Sequence, residues 1–188
     1  MLKINDQIPE NLIFEAYHED KIKKINLNSY KGKWLILMFY PADFTFVCPT
    51  ELQDYASLYE EFKKNNAEII SVSTDTVFSH KAWHDSSESI KQVAFPMLAD
   101  PTGNLCKLFG TYIENEGLSL RGTFLIDPDG KLKVFEIHDN GIGRSASEML
   151  RKLQAAKFVR EHGTDVCPAN WRPGSKTLKP GLDLVGKI

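Results

Sequence analysis

The sequence has few cysteines, and they stand far apart. Cys48, Cys106 and Cys167 form no Cys-x-x-Cys pair, and none of them belongs to a cluster of cysteines and histidines. The first absence excludes dithiol exchange from a single loop, and the second argues against a metal site. An odd number of widely spaced cysteines also argues against the disulfide framework of a small secreted domain. We therefore expect the chemistry of a reactive thiol.

The chain also lacks a long apolar segment and a strong charge of either sign. No window approaches the ~18 apolar residues of a membrane span, and 23 basic against 25 acidic residues leave a formal net charge of −2. That balance provides no long-range field for nucleic acid or for an anionic membrane. The N-terminal segment lacks the apolar core of a signal peptide. We expect a cytoplasmic protein that binds neither nucleic acid nor membrane.

Length and periodicity predict one α/β domain followed by a tail. The 188 residues suffice for a single domain with a full core. Apolar runs, helical spacing and turn signals predict the following elements in order: an N-terminal hairpin of strands 12–17 and 21–27, a buried strand 34–40, a helix 49–66, a strand 67–73, helices 76–87 and 102–109, a hairpin of strands 123–126 and 131–137, and a helix 145–162.

The order of these elements is that of a thioredoxin-like fold. Strands 34–40 and 67–73, joined by a helix, are expected to form a parallel βαβ unit. The N-terminal hairpin and a helical insertion are additions to that fold. Beyond the last predicted helix the chain loses its periodicity and is rich in proline and glycine. We therefore divide it into a domain of residues 1–162 and an extended C-terminal tail of residues 163–188, which carries Cys167.

The segment after strand 34–40 combines a hydroxyl, a thiol and a helix start. Cys48 stands where the helix begins, and Pro49 suits the first helical position, which needs no amide hydrogen. Backbone N–H groups and the positive end of the helix dipole favour the thiolate there. A lone cysteine is more often a small buried hydrophobe. Thr45, whose hydroxyl can hold a polar substrate atom beside the sulfur, and Pro41, which fixes the loop entry, favour the reactive interpretation.

The pattern Pro-x-x-x-Thr-x-x-Cys, formed by Pro41, Thr45 and Cys48, resembles the signature of the peroxiredoxins. The chain is similar from end to end to the typical two-cysteine members, and in particular to the group that forms the peroxidase component of bacterial alkyl hydroperoxide reductases. The matching segments are Phe39–Leu52, Val72–Thr76, His80–His84, Asp100–Gly103, Val166–Trp171 and Leu182–Ile188.

The resemblance implies a thiol peroxidase with two catalytic cysteines, which reduces hydrogen peroxide and organic hydroperoxides in antioxidant defence. Cys48 would be the peroxidatic cysteine, whose thiolate attacks a peroxide oxygen and becomes a sulfenic acid. Cys167 would be the resolving cysteine, which converts that acid into a disulfide between two copies of the chain. The segment at Cys48 would have to unwind in part for this disulfide to form.

Five further residues match positions of that family's site. The resemblance implies that Thr45 hydrogen-bonds the peroxide, that Pro41 shields the intermediate, and that Arg121 is the active-site arginine. Glu51 and Arg144 match a network that orients Arg121.

The resemblance also implies partners and no cofactor in this chain. The expected assembly is an intersubunit disulfide-linked dimer, and further a pentamer of dimers. The expected reductant is a flavoprotein disulfide reductase or thioredoxin. The family members that peroxide overoxidises easily carry a Gly-Gly-Leu-Gly insertion and a further C-terminal helix. This chain has Glu116-Gly-Leu-Ser119, and we expect it to resist overoxidation.

The resemblance also leaves other functions open. A holdase chaperone or a peroxide-sensing redox relay is possible on the same ring, whereas a thiol-disulfide oxidoreductase is disfavoured by the missing Cys-x-x-Cys. Cys106, between Leu105 and Leu108 of a predicted amphipathic helix, is expected to pack as an ordinary buried thiol. His80 and His84 have the spacing of a metal pair but no third ligand, and they are interpreted as surface or packing residues.

Overall fold

The structure is a computed structural model that describes residues 1–187. Ile188, the last residue of the predicted tail, lies outside the described residues. The strands are β1 (Ile13–His18), β2 (Lys21–Asn26), β3 (Trp34–Phe39), β4 (Ala67–Ser73), β5 (Met97–Ala99), β6 (Tyr112–Ile113), β7 (Leu118–Ser119), β8 (Arg121–Ile126) and β9 (Leu132–His138). The α-helices are α1 (Cys48–Ser57), α2 (Tyr59–Lys64), α3 (Val77–Ser86), α4 (Asn104–Phe109) and α5 (Ala146–His162). Within residues 1–187, none of the helices combines the length and apolar character that a membrane crossing requires.

Seven strands form one mixed sheet in the order β2-β1-β5-β4-β3-β8-β9, and β6 pairs with β7 separately. β3 and β4 are parallel, and β8 lies antiparallel on the other side of β3. All six residues of β3 are buried, which is why its sequence is a continuous apolar run without alternation. The predicted N-terminal hairpin, the parallel βαβ unit and the hairpin of β8 and β9 are confirmed.

The predicted helix 49–66 is wrong as a single element, because the chain forms α1 and α2 with a break at Leu58. The hydroxyl of Ser57 donates to the carbonyl oxygen of Asp54 at 2.7 Å, and such a local bond competes with the helical ladder. Leu58 leaves helical geometry with φ −105° and ψ 6°. The break redirects the chain so that Tyr59 and Phe62 of α2 are buried.

Three short strands are absent from the sequence-based prediction. β5 has three residues, and β6 and β7 have two each. Strands of that length contain too few residues to show a period. β5 is nevertheless important to the topology, because it pairs with both β1 and β4 and so joins the N-terminal hairpin to the central strands.

An aromatic cluster in the core fixes the strands that carry the site. The rings of Phe39, Phe109 and Phe124 contact each other, with centroids 4.7–5.4 Å apart. All three side chains are fully buried, and burial of each contributes roughly 1.5–3 kcal/mol relative to exposure. Because Phe39 belongs to β3 and Phe124 to β8, the cluster holds these two strands in a fixed relation.

Contacts divide the chain into two compact units, Met1–Ala146 and a second unit that begins at Ser147. In the second unit the ring of Phe158, on α5, lies 5.0 Å from that of Trp171. The Nη1 of Arg151 donates to the carbonyl oxygen of Trp171 at 3.3 Å. These contacts give order to a segment whose sequence shows no periodicity. The division of the sequence at residue 162 follows from composition and stays a prediction.

Candidate active site

Cys48 is the first residue of α1 and follows the loop that leaves β3. Its side chain is fully buried. The helix begins one residue earlier than the sequence predicts, with Pro49 in its first turn, where a missing N–H leaves no helical bond unmade. β3 and β4 are parallel, so this helix start lies at the carboxyl edge of the two strands, the edge at which open α/β sheets bind their ligands.

Arg121, the first residue of β8, reaches the same edge of the sheet. β8 is antiparallel to β3, and Thr123 lies opposite Met38. Arg121, two residues earlier in β8, therefore lies beside the end of β3, on the same side of the strand as Thr123. This pairing brings together an arginine and a cysteine that are far apart in sequence.

The guanidinium of Arg121 contacts the cysteine directly. Its Nη1 donates to Cys48 Sγ at 3.3 Å and to Glu51 Oε2 at 2.7 Å. Its Nε donates to the carbonyl oxygen of Asn140 at 2.9 Å. The side chain is almost completely buried, so its charge is little screened. A cation that is hydrogen-bonded to sulfur favours the thiolate, the nucleophilic form of cysteine.

Glu51 lies one turn after Cys48 and connects two arginines. Its Oε2 accepts hydrogen bonds from Nη1 of Arg121 at 2.7 Å and from Nη2 of Arg144 at 3.0 Å. Its Oε1 accepts from the backbone N–H and the Nε of Arg144, each at 2.8 Å. All three side chains are buried. Burial by itself raises the pKa of Glu51, but the hydrogen bonds and charge of Arg144, together with the charge of Arg121, outweigh it and hold that pKa below its ordinary value.

Thr45 and Pro41 belong to the loop before Cys48. The Thr45 hydroxyl donates to the carbonyl oxygen of Ala42 at 2.9 Å, so its proton is engaged and its oxygen is available to accept a hydrogen bond. Pro41 is buried and Thr45 is half-buried. The loop has strained backbone geometry at Phe44, a residue with φ +55°.

Sequence reasoning missed a buried polar group in that same loop. Asp43 accepts a hydrogen bond from the hydroxyl of Tyr40 at 2.7 Å, and its other oxygen lies 2.8 Å from Nδ1 of His80. His80 is fully buried, so it is a packing residue and not a surface residue, whereas His84 lies edge-on to the ring of Tyr17. No spacing in the sequence indicates the pair of Asp43 and His80, because only the fold brings α3 to this loop.

The two other cysteines lie in different surroundings, and all three thiols are free. Cys106 is fully buried on α4, as predicted. Burial and the nearby carboxylate of Asp100 raise its pKa to about 12, so it remains a neutral thiol. Cys167 belongs to the second unit, where its Sγ lies 3.8 Å from the carbonyl oxygen of Ala155. Burial raises the pKa of Cys167, and the charge of Arg151 partly opposes that effect.

Comparisons with known proteins identify the family. A family model described as the AhpC/TSA family matches residues 4–135, and one described as the C-terminal domain of 1-Cys peroxiredoxin matches residues 155–185. The chain belongs to the AhpC/TSA family. The second match includes Cys167, so this peroxiredoxin carries a cysteine in a segment named after one-cysteine relatives.

Curated relatives and solved structures agree with that assignment. The chain is 50% identical to alkyl hydroperoxide reductase C of Pseudomonas aeruginosa over the full length of both, and 50% identical to that of Staphylococcus aureus over 90% of each. Its structure resembles Enterococcus faecalis AhpC (TM-score 0.86, 45% identity, 89% of this chain and 100% of that one). It also resembles the reduced 2-Cys peroxiredoxin of Plasmodium vivax (TM-score 0.92, 31% identity, 97% and 96%).

These findings confirm the predicted α/β thioredoxin-like fold and the predicted family, and the chain is an enzyme of the peroxiredoxin type. The structure brings Cys48, Arg121, Glu51 and Arg144 into one connected group. Cys167 lies in the separate second unit. In the part of the chain that the structure describes, no group of three or more His, Cys, Asp or Glu side chains is arranged to hold a metal ion.

Proposed function

We propose that this peroxiredoxin reduces hydrogen peroxide and small organic hydroperoxides at Cys48. The observation that carries the proposal is the hydrogen bond of 3.3 Å from the Arg121 guanidinium to Cys48 Sγ. This bond stabilises a thiolate in a buried place where a thiolate without a partner would be costly. The same guanidinium lies where charge develops when a peroxide bond breaks beside the sulfur.

In the first step the thiolate attacks one peroxide oxygen. An S–O bond forms, the O–O bond breaks, and the electron pair leaves with the second oxygen, which takes a proton to become water or an alcohol. Cys48 becomes a sulfenic acid. Thr45 accepts a hydrogen bond from the peroxide, because its own proton is engaged by the carbonyl oxygen of Ala42. Pro41, a buried residue of the loop before Cys48, limits the access of water.

Glu51 and Arg144 keep Arg121 in its catalytic orientation. The Arg121 side chain is held by Glu51 at one nitrogen and by the carbonyl oxygen of Asn140 at another. A guanidinium fixed at two points does not have to reorganise when the transition state forms, and preorganisation of this kind is a large term in catalysis.

In the second step Cys167 of another copy of the chain attacks the Cys48 sulfenic acid. An S–S bond forms and water leaves, so the disulfide joins the two copies. A dithiol then reduces the disulfide. The reductant in this proposal is a flavoprotein disulfide reductase or thioredoxin. The proposed assembly is a pentamer of dimers in the cytoplasm, and the chain needs no cofactor of its own. Within residues 1–187 no feature favours a holdase or sensing role over this activity.

The test is peroxide consumption with dithiothreitol by the wild type and by Cys48→Ser, Cys167→Ser and Cys106→Ala. Samples treated with one equivalent of hydrogen peroxide are separated on non-reducing gels. We expect turnover and a linked dimer in the wild type and in the Cys106 variant, and no linked dimer in the other two. Activity without Cys48 would refute the peroxidase site, and a wild type that stays monomeric on the gel would refute resolution between two chains.

A further inference from the structure

Thr123 is a buried polar residue on β8, the strand next to the edge strand β9 of the sheet. It is the third residue of β8, a strand in which all six residues are buried, and its own side chain has no exposure. β8 lies between β3 and β9. Valine has the same branched shape and at least as high a preference for strands, and it has no hydroxyl to remove from water. A hydroxyl at this position therefore needs a hydrogen-bond partner, because its burial is otherwise costly.

The oxygen of this hydroxyl accepts a hydrogen bond from Arg144, the arginine that also contacts Glu51. Nη1 of Arg144 donates to Thr123 Oγ1 at 3.0 Å and to the carbonyl oxygen of Gly122 at 2.7 Å. The Nε and Nη2 of Arg144 donate to the two oxygens of Glu51 at 2.8 and 3.0 Å. Arg144 has no side-chain exposure. Thr123 thus supplies the only side-chain acceptor for Nη1 among the described residues, and Glu51 supplies the acceptors at the opposite nitrogens.

A continuous series of hydrogen bonds leads from Thr123 to the thiol. It runs through Arg144 to Glu51, from Glu51 to Arg121, and from Arg121 to Cys48 Sγ, with steps of 3.0, 2.8, 2.7 and 3.3 Å. Each step is made by a buried side chain. Without the Thr123 hydroxyl, one N–H of the buried Nη1 loses its acceptor. The guanidinium then keeps its bonds to Glu51 but has one fixed contact fewer to hold its orientation.

We infer that Thr123 is a positioning residue for the peroxidase reaction. It fixes the guanidinium plane of Arg144, which fixes the Glu51 carboxylate and through it the Arg121 nitrogen that contacts the sulfur. The inference rests on the proposed function. Thr123 acts on the oxidation of Cys48 by peroxide, and the later attack of Cys167 on the sulfenic acid does not depend on it.

The experiment compares full-length Thr123→Val and Thr123→Ser with the wild type. The rate constant of Cys48 oxidation by hydrogen peroxide is measured by competition with a haem peroxidase, and the rate of disulfide formation is followed separately. Thr111→Val is the matched control. Thr111 is also a fully buried threonine. Its hydroxyl donates to the carbonyl oxygen of Cys106 and accepts from Ser119, and not from an arginine, while its methyl group, which valine keeps, packs on Gly122. Thermal unfolding of each variant reports the loss of stability.

We expect Thr123→Val to slow Cys48 oxidation by about tenfold or more, a size typical of losing a residue that orients a directly acting group. Thr123→Ser keeps the acceptor, and its rate of Cys48 oxidation should stay within about twofold of the wild-type rate. Thr111→Val should also stay within about twofold, at a loss of stability similar to that of Thr123→Val. The rate of disulfide formation should be unchanged in all three variants. If Thr123→Val does not fold, Thr123→Ala replaces it in the same comparison. The inference fails if the wild type reacts with peroxide and Thr123→Val or Thr123→Ala reacts equally fast. It also fails if Thr123→Ser oxidises as slowly as Thr123→Val, or if Thr111→Val slows Cys48 oxidation as much as Thr123→Val does. A wild type that does not react would instead overturn the proposed function.

Discussion

The backbone N–H and the Nε of Arg144 both donate to a single oxygen of Glu51, each at 2.8 Å. The position of the carboxylate is therefore fixed by the backbone of the chain as well as by a side chain. Its second oxygen receives Nη1 of Arg121, the nitrogen that also contacts Cys48. The orientation of the sulfur's partner thus depends on a peptide group 96 residues away in the sequence, at Arg144. We therefore expect the group around Cys48 to respond to substitutions that do not contact the sulfur.

Replacing Arg121 by glutamine should reduce peroxide reduction by about two to three orders of magnitude, the usual cost of removing one donor that stabilises developing negative charge. The loss should occur in the oxidation of Cys48. Steady-state kinetics with varied peroxide and a fixed dithiol give the ratio of kcat to KM. The exposed Arg160 provides the matched control as Arg160→Gln, which should behave as the wild type. Equal rates for the two variants would contradict the role of Arg121.

Replacing Glu51 by glutamine should lower the free energy of unfolding by about 3–5 kcal/mol, because the change leaves buried arginine charge without its partner. The change should also slow Cys48 oxidation, since Arg121 loses one of its two fixed contacts. Urea unfolding at neutral pH measures the first effect. Glu116→Gln, at an exposed position, is the control and should cost little. A Glu51→Gln variant as stable as the control would show that the ion pairs of Glu51 contribute nothing to the free energy of unfolding.

Glu51 should also make the stability of the protein depend on pH. Its pKa in the folded chain lies below the ordinary value of 4.5. Ionised Glu51 therefore makes its full contribution to the free energy of unfolding above pH 4.5. That contribution is lost as the pH falls from 4.5 through the lower pKa of the folded state. The difference in unfolding free energy between the wild type and Glu51→Gln should shrink in acid. A constant difference between neutral pH and about pH 3 would contradict this assignment.

Cys106 should be inert toward both peroxide and alkylating reagents. Its pKa of about 12 leaves almost no thiolate at neutral pH, and its side chain is fully buried. We expect iodoacetamide to modify Cys167 in the folded, reduced protein and to leave Cys106 unmodified until denaturant is added. Mass analysis of the two peptides tests this directly. Modification of both cysteines at similar rates in the native protein would contradict the prediction.

Excess peroxide should produce little sulfinic acid at Cys48. The outcome is set by competition between Cys167 and a second peroxide molecule for the sulfenic acid. The segment that differs from the easily overoxidised members, Glu116 to Ser119, contains β7 and a turn at Gly117 with φ +69°. Mass spectrometry after turnover at rising peroxide concentration gives the sulfinic fraction. Cys167→Ser, which cannot resolve, is the positive control. A wild type that overoxidises as readily as this variant would contradict the prediction.

The sequence predicts the fold well where a pattern is long and continuous. The bounds of β4 agree with the predicted strand 67–73, in which four of the seven residues are apolar. The same reasoning fails at Leu58, where one serine side chain interrupts a helix whose apolar spacing continues on both sides. It also fails at β5, whose three residues are assigned by their neighbours in the sheet and not by their own sequence.

The residues of the site also differ in how well the sequence predicts them. The helix start at Cys48 is visible locally, as is the hydroxyl of Thr45. Arg121 and Arg144 are ordinary arginines by sequence, and only the family resemblance singled them out. Thr123 and the carbonyl oxygen of Asn140 gave no signal at all. Threonine is common inside strands, and a backbone acceptor has no side chain by which to be recognised. Their contacts follow from strand register and loop geometry, which are properties of the whole sheet.

The buried group around the sulfur has a charge balance that depends on the redox state. Arg121 and Arg144 carry two positive charges and Glu51 carries one negative charge. In the proposed reaction the attacking thiolate of Cys48 supplies the second negative charge, so that the four side chains are together neutral. Once the sulfur is part of a disulfide it carries no charge, and one positive charge remains uncompensated out of contact with water. Such a charge is costly to keep buried. In the proposed reaction, oxidation would therefore weaken the packing of the first turn of α1 when Cys48 has to leave it, and reduction would restore the charge balance of the folded turn.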